Sequence, residues 1–167
     1  HVVAATALGT AFEGARWPRR AYLVGALCAV LPDLDVIGLR LGIPYGSPLG
    51  HRGLSHSLAG AALLAGLALV TCFERKDWRW PVALYLFLAT ASHGVLDALT
   101  SGGLVVGFVE PFEHSRRFFP WRPIRVSPLA LSRILSPRFW SVLGSELTWI
   151  VGPAAVWTLL ALLARKA

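Results

Sequence analysis

The sequence is poor in charge, because only 15% of its 167 residues are Asp, Glu, Lys or Arg, against about a quarter in soluble domains. It contains no methionine, so we expect the natural start to precede His1. The N-terminal stretch lacks a basic region and is not expected to be a signal peptide. The two cysteines, Cys28 and Cys72, lie in separate apolar segments. They form no zinc motif and are predicted to be buried, inert thiols.

Apolar residues dominate what is present. They make up 55% of the chain, and the mean hydropathy is +0.59. The net charge is +7, but the basic residues stand between apolar segments, an arrangement typical of contact with anionic lipid headgroups. We therefore predict an integral membrane protein with membrane lipids and no nucleic acid as partners. Its length suits a single domain over residues 1–167; protein partners cannot be inferred.

The apolar segments predict an all-α, polytopic membrane bundle of about five helices. Two short leading helices are expected at residues 2–12 and 21–32, and three spans at 54–73, 80–96 and 147–164. Residues 104–146 are broken by prolines and rich in arginine and aromatic side chains. They are predicted to form an insertion at the membrane surface, with short amphipathic helices that include residues 129–135.

Polar residues recur at the ends of these segments. If the four leading segments alternate in direction, all of these residues lie at the same end of the bundle. His93 and Asp97 are also four positions apart and share a helical face. The candidate metal ligands are His1, Asp33, Asp35, His51, His56, His93 and Asp97.

Imidazole and carboxylate ligands together suit a divalent ion, with Zn²⁺ preferred and Mn²⁺ or Fe²⁺ as alternatives. A catalytic zinc takes three protein ligands, so seven candidates imply two ions or residues that orient ligands and move protons. Simpler interpretations stay open: Asp33 and Asp35 could cap a helix, His51 could be an interfacial polar residue, and His1 could be the remnant of a purification tag.

Arginines at the same end are predicted to bind an anionic substrate group. They are Arg52, Arg116 and Arg117, and headgroup contact is the alternative for the last two. Asp35, His51 and Arg52 are the candidate catalytic residues: either Asp35 or His51 would act as a base or as a further ligand, and Arg52 would hold the anionic group. Three further polar residues could act as a base or as a metal ligand, but we expect them to lie on the surface. They are Glu110, Glu113 and His114.

Three ordered motifs carry a family resemblance. They are Leu-Pro-Asp-Leu-Asp at 31–35, Gly-His-Arg-Gly-Leu-Ser-His-Ser at 50–57 and Ser-His-Gly-Val-Leu-Asp at 92–97, followed by Leu99 and Thr100. His1 and Arg117-Phe118 agree with the same pattern. The chain resembles the YdjM family of membrane-bound metal-dependent hydrolases over roughly residues 1–128, with the last span outside the match. The resemblance implies metal binding and the inner membrane of a bacterial or archaeal cell.

The expected function is a membrane-embedded hydrolase with one or two metal ions. It would use a metal-activated water on a lipid or lipid-linked phosphoester or acyl ester, such as a phospholipid. A transporter component and a non-catalytic, metal-stabilised membrane protein are the alternatives. Basic residues divide equally between the two ends of the bundle, so they do not fix the orientation. We favour a site facing outside, because some arginines at that end are expected to bind the ligand.

Overall fold

The computed structural model describes residues 1–12, 17–77, 79–103, 105–126 and 137–165. Within these ranges the chain is helical, with isolated bridges between Thr100 and Ile124 and between Val106 and Arg117. The prediction of an all-α fold is confirmed. Its helices are α1 Val2–Thr10, α2 Arg20–Cys28, α3 Val36–Arg40, α4 Leu58–Cys72, α5 Trp80–Ala98, α6 Pro137–Glu146 and α7 Gly152–Ala164.

Three helical stretches are long and apolar enough to cross a membrane: Arg20–Arg40, Trp80–Ala98 and Phe139–Ala164. The first is longer than predicted, because a 3₁₀ turn at Leu31–Asp35 joins α2 to α3. The predicted span at 54–73 is shorter. α4 has 15 residues, about 22 Å against the roughly 30 Å of a hydrocarbon core.

The start of α4 explains why it is short. Ser57 is extended, with ψ of 162°, and its hydroxyl accepts a hydrogen bond from the backbone N–H of Gly60 at 2.9 Å. This N-cap begins the helix and separates it from a 3₁₀ turn at Leu54–His56. His56 therefore lies on a turn next to the helix and not within it.

The last predicted span begins earlier than residue 147. α6 continues into α7 through a π-helical turn at Leu147–Val151. Pro153 has no N–H to donate to the carbonyl four residues earlier, which accounts for the altered turn at this point. All of α6 lies inside the predicted surface insertion 104–146, whereas the predicted helix 129–135 lies outside the described residues.

Helices α1, α2, α4 and α5 form the core through small residues. Buried alanines allow the helices to approach closely; they include Ala5, Ala21, Ala61, Ala65 and Ala89. Cys28 is buried as predicted. The same prediction is wrong for Cys72, which is exposed on the last turn of α4.

An ion pair and an aromatic cluster mark the end of the bundle where α1 ends and α2 begins. Arg20 pairs with Asp77 at 2.5 Å, and Trp17 packs edge-on against Tyr85 at 5.4 Å between ring centroids. The predicted metal ligands lie at the opposite end.

Candidate metal centre

Four predicted ligands converge from three elements. Asp33 comes from the 3₁₀ turn after α2, His56 from the turn before α4, and His93 and Asp97 from the last two turns of α5. Each offers one ligand atom, and these atoms lie within 4.8 Å of one another. The i, i+4 spacing on α5 puts His93 and Asp97 on the face that the two turns approach.

The separations of these atoms match those of ligands around one ion. His56 Nε2 lies 3.0 Å from His93 Nε2 and 3.4 Å from Asp97 Oδ2, and His93 Nε2 lies 3.3 Å from Asp33 Oδ1. A tetrahedral ion with bonds of about 2.0–2.1 Å holds its ligands about 3.3 Å apart. Two imidazole nitrogens face to face also need a cation or a proton between them, so the donor set fits a metal.

The second nitrogen of each imidazole has an acceptor that orients the ring. His93 Nδ1 lies 2.8 Å from the carbonyl oxygen of Ala29, and His56 Nδ1 lies 3.2 Å from Asp35 Oδ2. Both contacts fix the tautomer that presents Nε2 to the cluster, an arrangement common around protein-bound zinc. The carboxylate of Asp97 is held in a similar way, by Arg52 Nε at 2.8 Å.

Asp35 anchors a second group of possible ligands with His51 and His56. Its carboxylate lies 2.6 Å from His51 Nδ1, and it accepts hydrogen bonds from the hydroxyl of Ser55 and from the backbone N–H of Arg52 at 3.3 Å. With so many donors around it, Asp35 can orient His56 and His51, and it can equally contribute to a second ion.

His1 lies beside the cluster. Its ring stacks on that of His93, with centroids 3.8 Å apart, and its Nε2 lies 3.7 Å from Asp97 Oδ1. All seven predicted ligands are therefore found in one region of the structure, although His1 is not part of either four- or three-residue group.

Charge also favours a divalent ion. Three carboxylates lie around His56, and one of them, that of Asp97, pairs with the guanidinium of Arg52. This leaves an excess of two negative charges when the imidazoles are neutral. Burial would lower the pKa of His56, but hydrogen bonds to these three carboxylates outweigh burial and raise it to about 10. The carboxylates therefore favour a positive charge at His56, which a proton or a metal ion can supply.

The backbone of Arg52 has an unusual conformation that allows its contacts with the site. It has a positive φ of 63°, a conformation that costs energy for a residue with a side chain. Its guanidinium reaches the end of α5, where it also donates to the carbonyl of Gly102 at 3.0 Å. The strained backbone lets one residue contact Asp35 through its N–H and Asp97 through its side chain.

A cavity of about 250 Å³ opens beside the cluster. Its polar wall includes Asp33, His51, Arg52 and Asp97. The lining also includes Arg125 and Glu146, neither of which was predicted from the sequence. Arg125 stands in a proline-rich loop without a motif, so no local signal distinguishes it. The cavity is also lined by apolar side chains: Val3, Leu96, Ile124, Val126, Ile150 and Val151.

The other predicted substrate-binding arginines lie apart from this wall. Arg116 donates to the carbonyls of His51 at 3.0 Å and Ser47 at 2.5 Å, so it holds the loop that carries His51. Arg117 is exposed, and its guanidinium lies 3.8 Å from the carboxylate of Glu113. Neither arginine is among the described residues that line the cavity, and their binding of substrate stays a prediction.

The surface position favoured for residues 110–114 is wrong for Glu110. Its side chain is 1% exposed and lies 2.7 Å from Nδ1 of His114, which is 68% exposed. A Cβ at Gly107 would lie 2.7 Å from Cγ of Glu110, so the glycine leaves space for this buried side chain.

Comparison with known proteins identifies the family. The model of the YdjM inner membrane protein family matches residues 1–167. The chain belongs to this family. The match includes the last span, which the sequence resemblance had left out. The chain is also 39% identical to the inner membrane protein YbcI of Escherichia coli strain K12 over 137 residues, 80% of this chain and 78% of that protein. No solved structure matches. As predicted, this YdjM family member is an inner membrane protein.

Proposed function

We propose that this inner membrane protein is a metal-dependent hydrolase that cleaves a phosphoester or acyl ester in a lipid or lipid-linked substrate. The observation that carries the proposal is the convergence of Asp33, His56, His93 and Asp97 beside a cavity. Zn²⁺ suits this donor set best, with Mn²⁺ or Fe²⁺ as alternatives. The group around Asp35 and His51 leaves room in the proposal for a second ion.

A bound divalent ion would supply a nucleophile at neutral pH by lowering the pKa of water. In the proposal, the four ligands hold that ion and Asp35 fixes the ring of His51, which lines the cavity. His51 takes a proton from the attacking water. The water oxygen would bond to phosphorus or the carbonyl carbon as the bond to the alcohol oxygen breaks. His51 would then return its proton to the leaving oxygen, so that the product departs as the alcohol.

The composition of the cavity wall supports an anionic, amphiphilic substrate. With a bound divalent ion, the positive charges of the ion, Arg52 and Arg125 exceed the three carboxylates of the wall, which belong to Asp33, Asp97 and Glu146. A guanidinium can bind phosphate or carboxylate with two hydrogen bonds. The lining also has apolar side chains, with Leu96 and Val151 among them. A head group and the first part of a hydrocarbon chain would each find a matching surface.

A metal that only stabilises the fold is the second candidate. Four protein ligands complete a tetrahedral zinc site, as in structural zinc proteins, and the cluster joins three separate elements. In that case metal removal lowers the melting temperature while no lipid is converted. A hydrolase would instead show metal-dependent product formation, restored when the ion is returned.

The decisive experiment compares two histidine variants of the full chain in detergent. We expect elemental analysis to find bound metal in the unsubstituted protein and in His114→Ala, because His114 lies outside both ligand groups. His93→Ala should retain little metal. Each sample is then incubated with a bacterial lipid extract, and the products are analysed by mass spectrometry.

A product that forms with the unsubstituted protein and His114→Ala, but not with His93→Ala, supports the hydrolase. Unchanged metal content in His93→Ala refutes the ligand assignment. Metal binding without any converted lipid leaves the structural role as the better explanation.

A further inference from the structure

A groove runs between α1 and α7 on the outer side of the bundle. It has a volume of about 600 Å³. Its walls include Val3 and Ala7 from α1 and Val151, Ala155 and Leu159 from the other helix. It extends along the last helix from Val151 to Leu162, eleven residues or about 16 Å at 1.5 Å per residue.

The groove adjoins the cavity of the candidate metal centre. Val3 and Val151 line both spaces, and from these two residues the groove follows α1 and the last helix towards Thr10 and Leu162, away from the ligands. A molecule whose polar end lies in the cavity would pass Val3 and Val151 to enter the groove.

The groove walls favour a hydrocarbon occupant. Three threonines line it, and each hydroxyl donates to a carbonyl of its own helix: Thr6 to Val2, Thr10 to Ala7 and Thr158 to Ala154. These three hydroxyl groups therefore already donate within their own helices. The remaining walls are mostly apolar, with small alanines that leave space for a chain.

The shape and lining of the groove suit a single flexible chain. The groove runs about 16 Å along the last helix and is lined mostly by small and apolar side chains, so an extended hydrocarbon chain can lie along it.

We propose that this groove holds the hydrocarbon chain of a membrane lipid whose anionic head group lies in the cavity beside Arg52 and Arg125. The inference rests on the proposed function, because it assigns the substrate class of the same site. In this proposal, α1 and α7 select the substrate by its hydrocarbon chain, so that a soluble ester with the same head group would bind poorly.

The test uses the full chain in nanodiscs of phosphatidylglycerol and phosphatidylethanolamine. A trace of phosphatidylglycerol carries a photoactivatable diazirine on its acyl chain, and cross-linked residues are mapped by mass spectrometry. Ala155→Phe fills the groove. Val156→Phe is the matched control, because Val156 is the next residue, is 59% exposed and does not line the groove.

We expect labelling to concentrate on groove residues of α1 and α7 and to fall several-fold in Ala155→Phe but not in Val156→Phe. Excess unlabelled phosphatidylglycerol should compete, whereas glycerol phosphate and inorganic phosphate should compete much less. Labelling spread evenly over the outer faces of the helices, or unchanged by Ala155→Phe, overturns the proposal. Equal competition by the free phosphates overturns the role of the chain.

Labelling needs no turnover, so the two proposals fail separately. Groove labelling without any converted lipid supports the groove and refutes the hydrolase. If Ala155→Phe changes neither product formation nor labelling, the proposal about the groove is refuted while the hydrolase proposal stands. Metal content measured in both variants should equal that of the unsubstituted protein, because neither position touches the ligands.

Discussion

Gly94 sets the distance between the two imidazoles of the metal centre, and Gly94→Ala should therefore weaken metal binding. A Cβ at Gly94 would lie 2.5 Å from the carbonyl oxygen of His56, where ordinary contact begins at 3.4 Å. The turn that carries His56 and α5, which carries His93, would have to separate by about 0.9 Å. Metal sites tolerate errors of about 0.2 Å in ligand distance. We expect affinity to fall by about 10–100-fold, as for other changes that misplace ligands.

The matched control is Gly66→Ala on α4, because no atom lies within 4 Å of a Cβ added there. That change should leave metal affinity intact and stabilise the helix by up to about 1 kcal/mol. Affinity is measured in detergent by competition with a coloured chelator, and circular dichroism confirms that both variants are helical. Equal affinities in Gly94→Ala and the unsubstituted protein would refute the idea that this close approach positions the ligands.

Three further predictions concern single residues. Ser55→Ala should lower metal affinity by about tenfold or more, because the carboxylate of Asp35 loses a hydrogen bond. Ser57→Ala should instead remove the N-cap of α4, which lowers stability by about 1 kcal/mol and leaves metal binding intact. Chelator competition measures the first effect and thermal unfolding the second. Because the pKa of His56 is raised to about 10, metal binding at pH 7 should release about one proton from this side chain, and metal affinity should rise with pH. Calorimetry in buffers of different ionisation enthalpy measures the number of protons released. A release of no protons would contradict a protonated His56. A membrane-permeant maleimide should modify the exposed Cys72 and spare the buried Cys28 in the folded protein, as peptide mass spectrometry can check.

The clustering of ligands could be predicted because it depends on local properties of the chain. Short connections force neighbouring helices to run in opposite directions, so polar residues at the end of one segment and the start of the next share an end of the bundle. The i, i+4 spacing of His93 and Asp97 needs only helical geometry. Neither inference requires knowledge of how side chains pack.

Helix lengths and side-chain partners could not be predicted in the same way. The start of α4 depends on the hydroxyl of Ser57, which lies inside a run of residues 53–73 without Asp, Glu, Lys or Arg. The pairing of Arg52 with Asp97 requires a left-handed backbone that composition does not reveal. Arg125 reaches the cavity only because its loop packs on α6, where its guanidinium donates to Ser141 at 2.6 Å.

The four ligands differ in their access to solvent, and this difference bears on what the site can do. The side chains of His56 and His93 are fully buried and that of Asp97 is 9% exposed, whereas that of Asp33 is 54% exposed. A structural zinc site is closed on all sides, but a catalytic one keeps a position that exchanges. Here the most accessible ligand, Asp33, lines the cavity together with Asp97, and orienting contacts hold the other three ligands in place. A carboxylate that can yield its position to water would give the remaining His₂Asp set the three-ligand arrangement of catalytic zinc.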